Sequence, residues 1–330
     1  MGHPDIAALT GLDLFEGADA DDVAAITSML SAVYLTSGAT LLRQGDAGST
    51  FFILAGGRAV VRRQGPGDER DVAVVGPGAI VGELAAIRGA PRGASVVAIE
   101  PLLAYEGDQS ALLALVAAPV VGDRIARRAG ERLAANARPI DVRLRDGATV
   151  RVRPILPDDR KAAERAALRF SDRARYQRFF SLGPMTASVL DHLFDIDYID
   201  RFSWVVLAGD EPIADGRYGR VRDDVRTAEV AFVVADAHQG RGIGTLMLGA
   251  VAVAAGVNGF TRLTADVLAD NAAMRRVLDR AGAKWVSVGG SVVQTTIDMV
   301  AARSLLAADV STAMADAVQE ISTASLMLGA

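Results

Sequence analysis

The sequence predicts a two-domain α+β protein, with a β-rich barrel or sandwich flanked by helices first and an α/β domain built on a mixed sheet second. Three observations carry this reading. The chain has 330 residues, more than one ordinary core holds at about 100–200 residues per domain. Between Val33 and Tyr105, short β-rich runs alternate with Gly-rich turns, the texture of a small all-β domain. From Asp141 onward, strand patterns alternate with helical ones.

Taken in order, Ile6, Leu9, Val23, Ile26, Met29 and Leu30 repeat at helical spacing, so short helices are expected over the first 30 residues. Strands follow at Phe51–Leu54, Ala59–Arg63, Val72–Val75 and Ser95–Ile99, separated by turns such as Gly56-Gly57 and Gly76-Pro77-Gly78. Gln109–Ala137 reads as one helix closed by Pro139. The second domain opens with a hairpin turned by Asp146-Gly147. Helices are expected at Asp158–Phe170 and Thr186–Phe194, and strands at Phe202–Ala208, Pro212–Arg220 and Arg226–Ala235. A glycine loop, a helix at Gly242–Ala255, a strand at Arg262–Val267, a helix at Asn271–Gly282 and one strand at Val286–Asp298 complete it. The expected division is 1–140, 141–300 and a helical or mobile tail, 301–330.

Composition excludes several chemistries. There is no cysteine, which removes disulfides, thiolate metal sites and a cysteine nucleophile. A three-histidine zinc site would consume His3, His192 and His238, all the histidines present, so no metal is expected. A net charge of −5 offers no general attraction to nucleic acid or anionic lipid. The N-terminus is acidic and lacks the apolar core of a signal peptide. The apolar run Thr245–Val257 is shorter than the roughly 17–25 residues that span a bilayer. A cytoplasmic protein without nucleic-acid or membrane partners is therefore expected.

Two segments carry chemistry. In Val81-Gly82-Glu83-Leu84, continuing to Arg92-Gly93-Ala94-Ser95, a glycine leads into a helical turn whose N–H groups suit an anionic oxygen. Glu83 suits a sugar hydroxyl and Arg92 a phosphate; a solvated Glu–Arg pair on a loop is the other reading of the spacing. The segment resembles the phosphate-binding cassette of cyclic-nucleotide-binding domains, and Arg43-Gln44-Gly45-Asp46 through Gly56 resembles the strands before it. The resemblance implies a jelly-roll-like barrel over residues 1–140. It also implies Glu83 on the ribose hydroxyl, Arg92 on the cyclic phosphate, and Gly82, Leu84, Gly93 and Ala94 lining the turn. Gly93 lacks the hydroxyl of cyclic-GMP-preferring members, so cyclic AMP is the expected ligand, capped by Arg132 or Arg138 over the base.

The second segment is Gln239-Gly240-Arg241-Gly242-Ile243-Gly244-Thr245, set between a strand and a helix. It lacks the GxGxxG of dinucleotide sites and the lysine of ATPase loops, so glycine spacing alone leaves a tight turn as the bland alternative. With Asn271-Ala272-Ala273-Met274 and the helix running to Gly282, it resembles the acetyl-CoA motifs of Gcn5-related N-acetyltransferases. That resemblance implies pantetheine pairing at Phe232, Val233 and Val234, a diphosphate cradled by Gly240–Thr245, and further contacts from Asn271 and Arg280. A lysine amine must lose its proton before it attacks a thioester. Glu229, the only charged residue of Ala228–Val234, is the expected general base, mostly because the resemblance implies a glutamate on this strand. Apolar surroundings would raise it toward neutrality; a strand-end glutamate reaching solvent is the other reading. The tyrosine that many relatives use to protonate the thiolate has no counterpart, since none follows Tyr218.

Asp191, His192, Asp195, Asp197 and Asp200 form an acidic stretch with three readings: a solvated helix face, an irregular metal site, or a lid that attracts a basic substrate. Phe170–Phe180 interleaves aromatics and arginines and resembles a stretch of bacterial protein acetyltransferases. The fused pair of domains resembles mycobacterial cyclic-AMP-regulated protein lysine acetyltransferases. It implies acetyl transfer from acetyl-CoA to a lysine of partner proteins, such as acyl-CoA synthetases, under cyclic AMP control. A small-molecule amine acetyltransferase is the alternative. A cyclic-nucleotide-responsive transcription factor would instead place a helix-turn-helix after the barrel. Self-modification is limited by lysine content to Lys161, Lys284 and the N-terminus.

Overall fold

In the first unit the run Phe51-Phe52-Ile53-Leu54 is apolar without alternation because both faces of its strand are covered. Phe51 and Ile53 pack with the helices, whereas Phe52 and Leu54 enter a separate cluster with Leu42, Val81, Val96 and Leu102. Period-two alternation sorts the side chains between the two layers. The computed structural model describes residues 6–65, 68–167 and 186–329. Contacts divide the chain into compact units, Met1–Ala129 with Leu326–Ala330, and Gly130–Ser325; the division falls inside a helix, before the boundary expected at 140.

The strands of the first unit are β1 (Ser31–Leu35), β2 (Thr40–Leu42), β3 (Thr50–Gly56), β4 (Ala59–Gly65), β5 (Asp68–Val75), β6 (Ile80–Val81), β7 (Ser95–Ala98) and β8 (Leu102–Asp108). They form two four-stranded sheets, ordered β1-β8-β3-β6 and β2-β7-β4-β5. This is a sandwich with no closed ring, which narrows the expected barrel. Helices α1 (Ile6–Thr10), α2 (Ala20–Ser28), α3 (Glu83–Arg88) and α4 (Gln109–Ala117) accompany it. The single helix expected over Gln109–Ala137 is broken. Pro119 starts α5 (Pro119–Asn136) after the extended Ala118, and the two helices meet at 109°, because proline cannot continue the backbone bonding of α4.

The second unit adds β9 (Ile140–Arg143), β10 (Thr149–Pro154), α6 (Arg160–Ala167), α7 (Ala187–Phe194), β11 (Arg201–Ala208), β12 (Glu211–Val221) and β13 (Asp224–Val234). After these come α8 (Ile243–Val257), β14 (Arg262–Leu268), α9 (Ala272–Asp279), β15 (Lys284–Gly289), β16 (Val292–Ile297), α10 (Met299–Arg303) and α11 (Ala308–Gly329). The eight-stranded sheet runs β15-β16-β14-β13-β12-β11-β10-β9. Among the described residues only β13 and β14 pair in parallel. The single strand expected at Val286–Asp298 is a hairpin, folded back at Gly289 and Gly290, whose φ angles are 114° and 60°. Glycine alone visits such values cheaply.

Helix α8 explains the long apolar run. It is buried on all sides from Thr245 to Ala255, as expected of an interior helix. One side lies on the sheet, where Trp204 Nε1 donates to Ala250 O at 3.0 Å. Another meets the C-terminal segment, whose Met314, Val318 and Ile321 join the same core. No single described helix is long and apolar enough to cross a membrane.

Gly249 permits the close approach on that second side, since a Cβ there would stand 2.6 Å from Leu306 Cγ. Replacing Gly249 with Val is expected to lower the unfolding free energy by about 1–3 kcal/mol through overpacking. Urea denaturation followed by circular dichroism measures it; an unchanged midpoint would mean that Leu306 yields.

Candidate functional sites

The first site forms where β6 ends. Gly82 adopts φ 85° and turns the chain into α3. A Cβ at Gly82 would stand 2.6 Å from Arg92 Nη1 and 3.1 Å from Leu42 Cδ1, so both conformation and space require glycine. The backbone of Arg92 is fixed to the Gly45-Asp46 turn, with Arg92 N–H donating to Asp46 O (2.8 Å) and Gly45 N–H to Arg92 O (2.9 Å). Its guanidinium donates to Gly82 O at 2.8 Å and Thr50 Oγ1 at 3.2 Å. Glu83 and Arg92 are both buried, at 1% and 6% exposure, which sets aside the solvated-pair reading. Burial lowers the Arg92 pKa, while the charges of Glu83, Asp46 and Glu106 oppose that shift. Leu84 and Ala94 are half-buried and Gly93 is exposed. Arg132 lies on α5 within the second unit.

The second site begins with a parting of strands. β13 and β14 pair over Thr227–Arg262, Ala228–Leu263 and Glu229–Thr264, and no ladder pair joins them beyond. β13 nevertheless continues to Val234 against β12, and β14 to Leu268 against β16. The end of β13 borders a cavity of about 510 Å³. Among its walls are Phe232, Val233, Val234, Gln239, Gly240, Gly242, Ile243, Gly244, Thr245, Asn271 and Arg280; eleven predicted residues are thus brought together. Gly240 and Gly242 have φ of 77° and 93°, and α8 begins immediately after with its N–H groups toward the loop. Gln239 Nε2 donates to Val234 O (3.1 Å) and Asp236 Oδ1 (3.0 Å), bracing the strand-to-loop turn. Asn271 caps α9 by accepting from Met274 N–H at 3.1 Å. Arg280 donates to Thr245 Oγ1 at 3.0 Å, tying α9 to the start of α8.

Two predicted residues stand elsewhere. Arg241 is not part of the cavity wall: its Nε donates to Asp146 Oδ2 at 2.5 Å, and its Nη1 lies 2.9 Å from His238 Nδ1. Glu229 is the last residue of β13 paired with β14, at the apex of the parting. It is exposed, so the apolar burial expected around it is absent. The reason is the sheet's asymmetry: Ala228, Val230 and Phe232 take the buried face under α8, leaving Glu229, Ala231 and Val233 on the other. Beside this face on β12, Asp215 and Arg217 are paired at 2.5 Å, and Arg217 Nη1 donates to Leu193 O of α7 at 2.6 Å.

Tyr218 is buried on the α8 side and donates its hydroxyl to Ile199 O at 2.8 Å. Burial pushes its pKa up, and it belongs to the core. The acidic stretch is engaged structurally. Asp191 pairs with Arg160 at 2.6 Å, Asp195 with Arg201, and Asp200 with Arg220 at 2.5 Å. Asp197 accepts from the N–H groups of Ile199, Asp200 and Arg201 at 2.7–2.9 Å. Phe170–Phe180 lies outside the described residues. Sequence reasoning missed Arg145, His238 and Arg276 on the cavity wall. Arg145 reaches the wall through the Asp146–Arg241 ion pair, a contact across 95 residues that no local pattern announces.

The cyclic nucleotide-binding domain family matches residues 32–118, and the acetyltransferase (GNAT) domain family residues 149–284. "Acetyltransferase Pat" of Mycolicibacterium smegmatis is 39% identical over 295 residues, covering 89% of either chain. The "CRP-like cAMP-activated global transcriptional regulator" of Mycobacterium tuberculosis is 29% identical over 122 residues, 36% of this chain and 54% of that protein. A solved "cAMP-binding acyltransferase from Mycobacterium smegmatis" superposes with TM-score 0.50 at 35% identity over 97% of each chain. With one unit built as a cyclic nucleotide-binding sandwich and the other as a mixed sheet parted beside a glycine loop, the chain belongs to the Pat family of acetyltransferases.

Proposed function

We propose that this protein transfers acetyl from acetyl-CoA to the side-chain amine of a lysine in a partner protein, under the control of cyclic AMP bound at Glu83 and Arg92. One observation supports the transfer reading above the others: the cavity beside the glycine loop is walled by Phe232, Val233 and Val234, on the same strand on which Glu229 is the last residue paired with β14. An extended pantetheine arm pairs with the open side of Phe232–Val234 as an added strand. The diphosphate rests on the amides of Gly240–Thr245 and the N-terminus of α8. The thioester then comes to the apex, within reach of a carboxylate able to accept the proton of the incoming amine directly or through water. The adduct of amine and thioester collapses with cleavage of the C–S bond, and CoA leaves as a thiolate that takes its proton from water, so no step passes through an acyl-enzyme.

In the first unit, the buried Glu83 and Arg92 suit a ribose hydroxyl and a cyclic phosphate, with Gly82, Leu84, Gly93 and Ala94 around them. Cyclic AMP activates only in so far as it binds the active arrangement more tightly; a tenfold activation needs about 1.4 kcal/mol of differential affinity. With two lysines in the whole chain, the acceptor is supplied by a partner.

Three outcomes test this. Transfer of labelled acetyl from acetyl-CoA is expected to favour lysine-bearing proteins over aminoglycosides, polyamines and amino-acid amides, and to rise with cyclic AMP; preference for a small amine would replace the protein substrate. Glu229→Gln is expected to lower kcat by about 10²–10⁴ at neutral pH with little change in KM for acetyl-CoA, and near-normal kcat removes Glu229 as base. Arg92→Ala is expected to weaken cyclic AMP binding by at least about tenfold, the scale of a charge-assisted contact. Calorimetry measures it, and unaltered affinity places the nucleotide elsewhere.

A further inference from the structure

The cavity of the second unit carries more positive charge than a diphosphate requires. Its walls hold Arg145, Arg276 and Arg280 and no aspartate or glutamate, in a chain whose net charge is −5. These arginines come from separate places. Arg280 follows α9 and is held to Thr245. Arg276 stands one turn earlier on the same helix. Its Nε donates to Ala272 O at 3.1 Å, and its terminal nitrogens make no hydrogen bond among the described residues. Arg145 arrives on the β9–β10 turn and lies across the glycine loop, its Cδ and Nε 3.8 Å from where a Cβ of Gly242 would stand. It makes no hydrogen bond or ion pair among the described residues.

The turn that delivers Arg145 is itself anchored. Asp146 accepts from Arg241, and that hydrogen bond holds the Asp146 carboxyl below the usual carboxylate range. The loop's own arginine is therefore engaged, and Arg145 and Arg276 are the guanidiniums left facing one cavity without an anion.

We propose that Arg145 and Arg276 form a second anion subsite beside the diphosphate cradle, for a phosphomonoester on the ligand's ribose: the 3′-phosphate that distinguishes CoA from dephospho-CoA. The inference rests on the reading of this cavity as the acetyl-CoA site. The backbone amides, the helix N-terminus and Arg280 serve the diphosphate. A phosphomonoester brings a further charge of about −1.5 to −2 at neutral pH, which two guanidiniums match, each through a two-pronged contact. Both arginines are exposed at the rim, so the subsite adds selectivity without burying a cation.

Steady-state kinetics with acetyl-CoA and acetyl-dephospho-CoA test it on the full chain and on the double variant Arg145→Ala, Arg276→Ala. The unaltered protein is expected to show a KM at least about tenfold higher for the dephospho compound at low salt, with the preference shrinking as ionic strength rises. In the double variant the ratio of the two KM values falls toward one. A ratio near one in the unaltered protein, or a full ratio retained by the double variant, overturns the subsite. Failure of the chain to bind CoA at all in calorimetry overturns the acetyl-CoA reading beneath it, and so separates the two failures.

Discussion

Strands that run side by side for three residues and then part leave backbone groups without a neighbour to pair with. Inside a sheet this is costly, because peptide N–H and C=O groups removed from water need partners. The arrangement persists in the second unit because each strand is secured on its other side, β13 by β12 and β14 by β16. Helix α8 supports the sheet with a surface that is apolar but for Thr245. Everything of chemical interest is arranged around that gap. The carboxylate stands where pairing stops, the glycine loop and helix N-terminus stand at its mouth, and α9 closes one side through Arg280 and Thr245.

The first unit meets a different constraint, the cost of enclosing a cation. Arg92, a residue at 6% exposure, keeps its charge because its donors reach Gly82 O and Thr50 Oγ1 and because carboxylates lie near it. Charge buried in this way is costly unless it is paired and hydrogen-bonded. That requirement extends to Gly82, which must stay small so that the arginine can approach.

The parts legible in the sequence are those whose chemistry is local. The turn Gly82–Ala94 and the loop Gln239–Thr245 carry their glycines, charges and helix starts within a dozen residues, and the structure assembles both as compact features. Element types were legible where an apolar run was too long for a strand and too short for a membrane span, as in α8. What escaped depends on contacts distant in sequence. Arg145 belongs to the cavity only because Asp146 meets Arg241. The exposure of Glu229 follows from which face of β13 takes the helix, a choice that alternation alone leaves open. The break at Pro119 and the hairpin at Gly289-Gly290 were visible as proline and glycines, but an overlying apolar pattern masked them.

The buried Arg92 bears on what its site can reject. The chain has already stripped the guanidinium of most of its water in folding, so an arriving anion encounters a cation that has little hydration left to lose. A nucleoside of the same shape without a phosphate would seal the site without adding a partner to that charge and deprive it of the remaining solvent. On the proposed reading of this site, discrimination between a nucleotide and its parent nucleoside is prepared at the folding step and needs no residue devoted to exclusion.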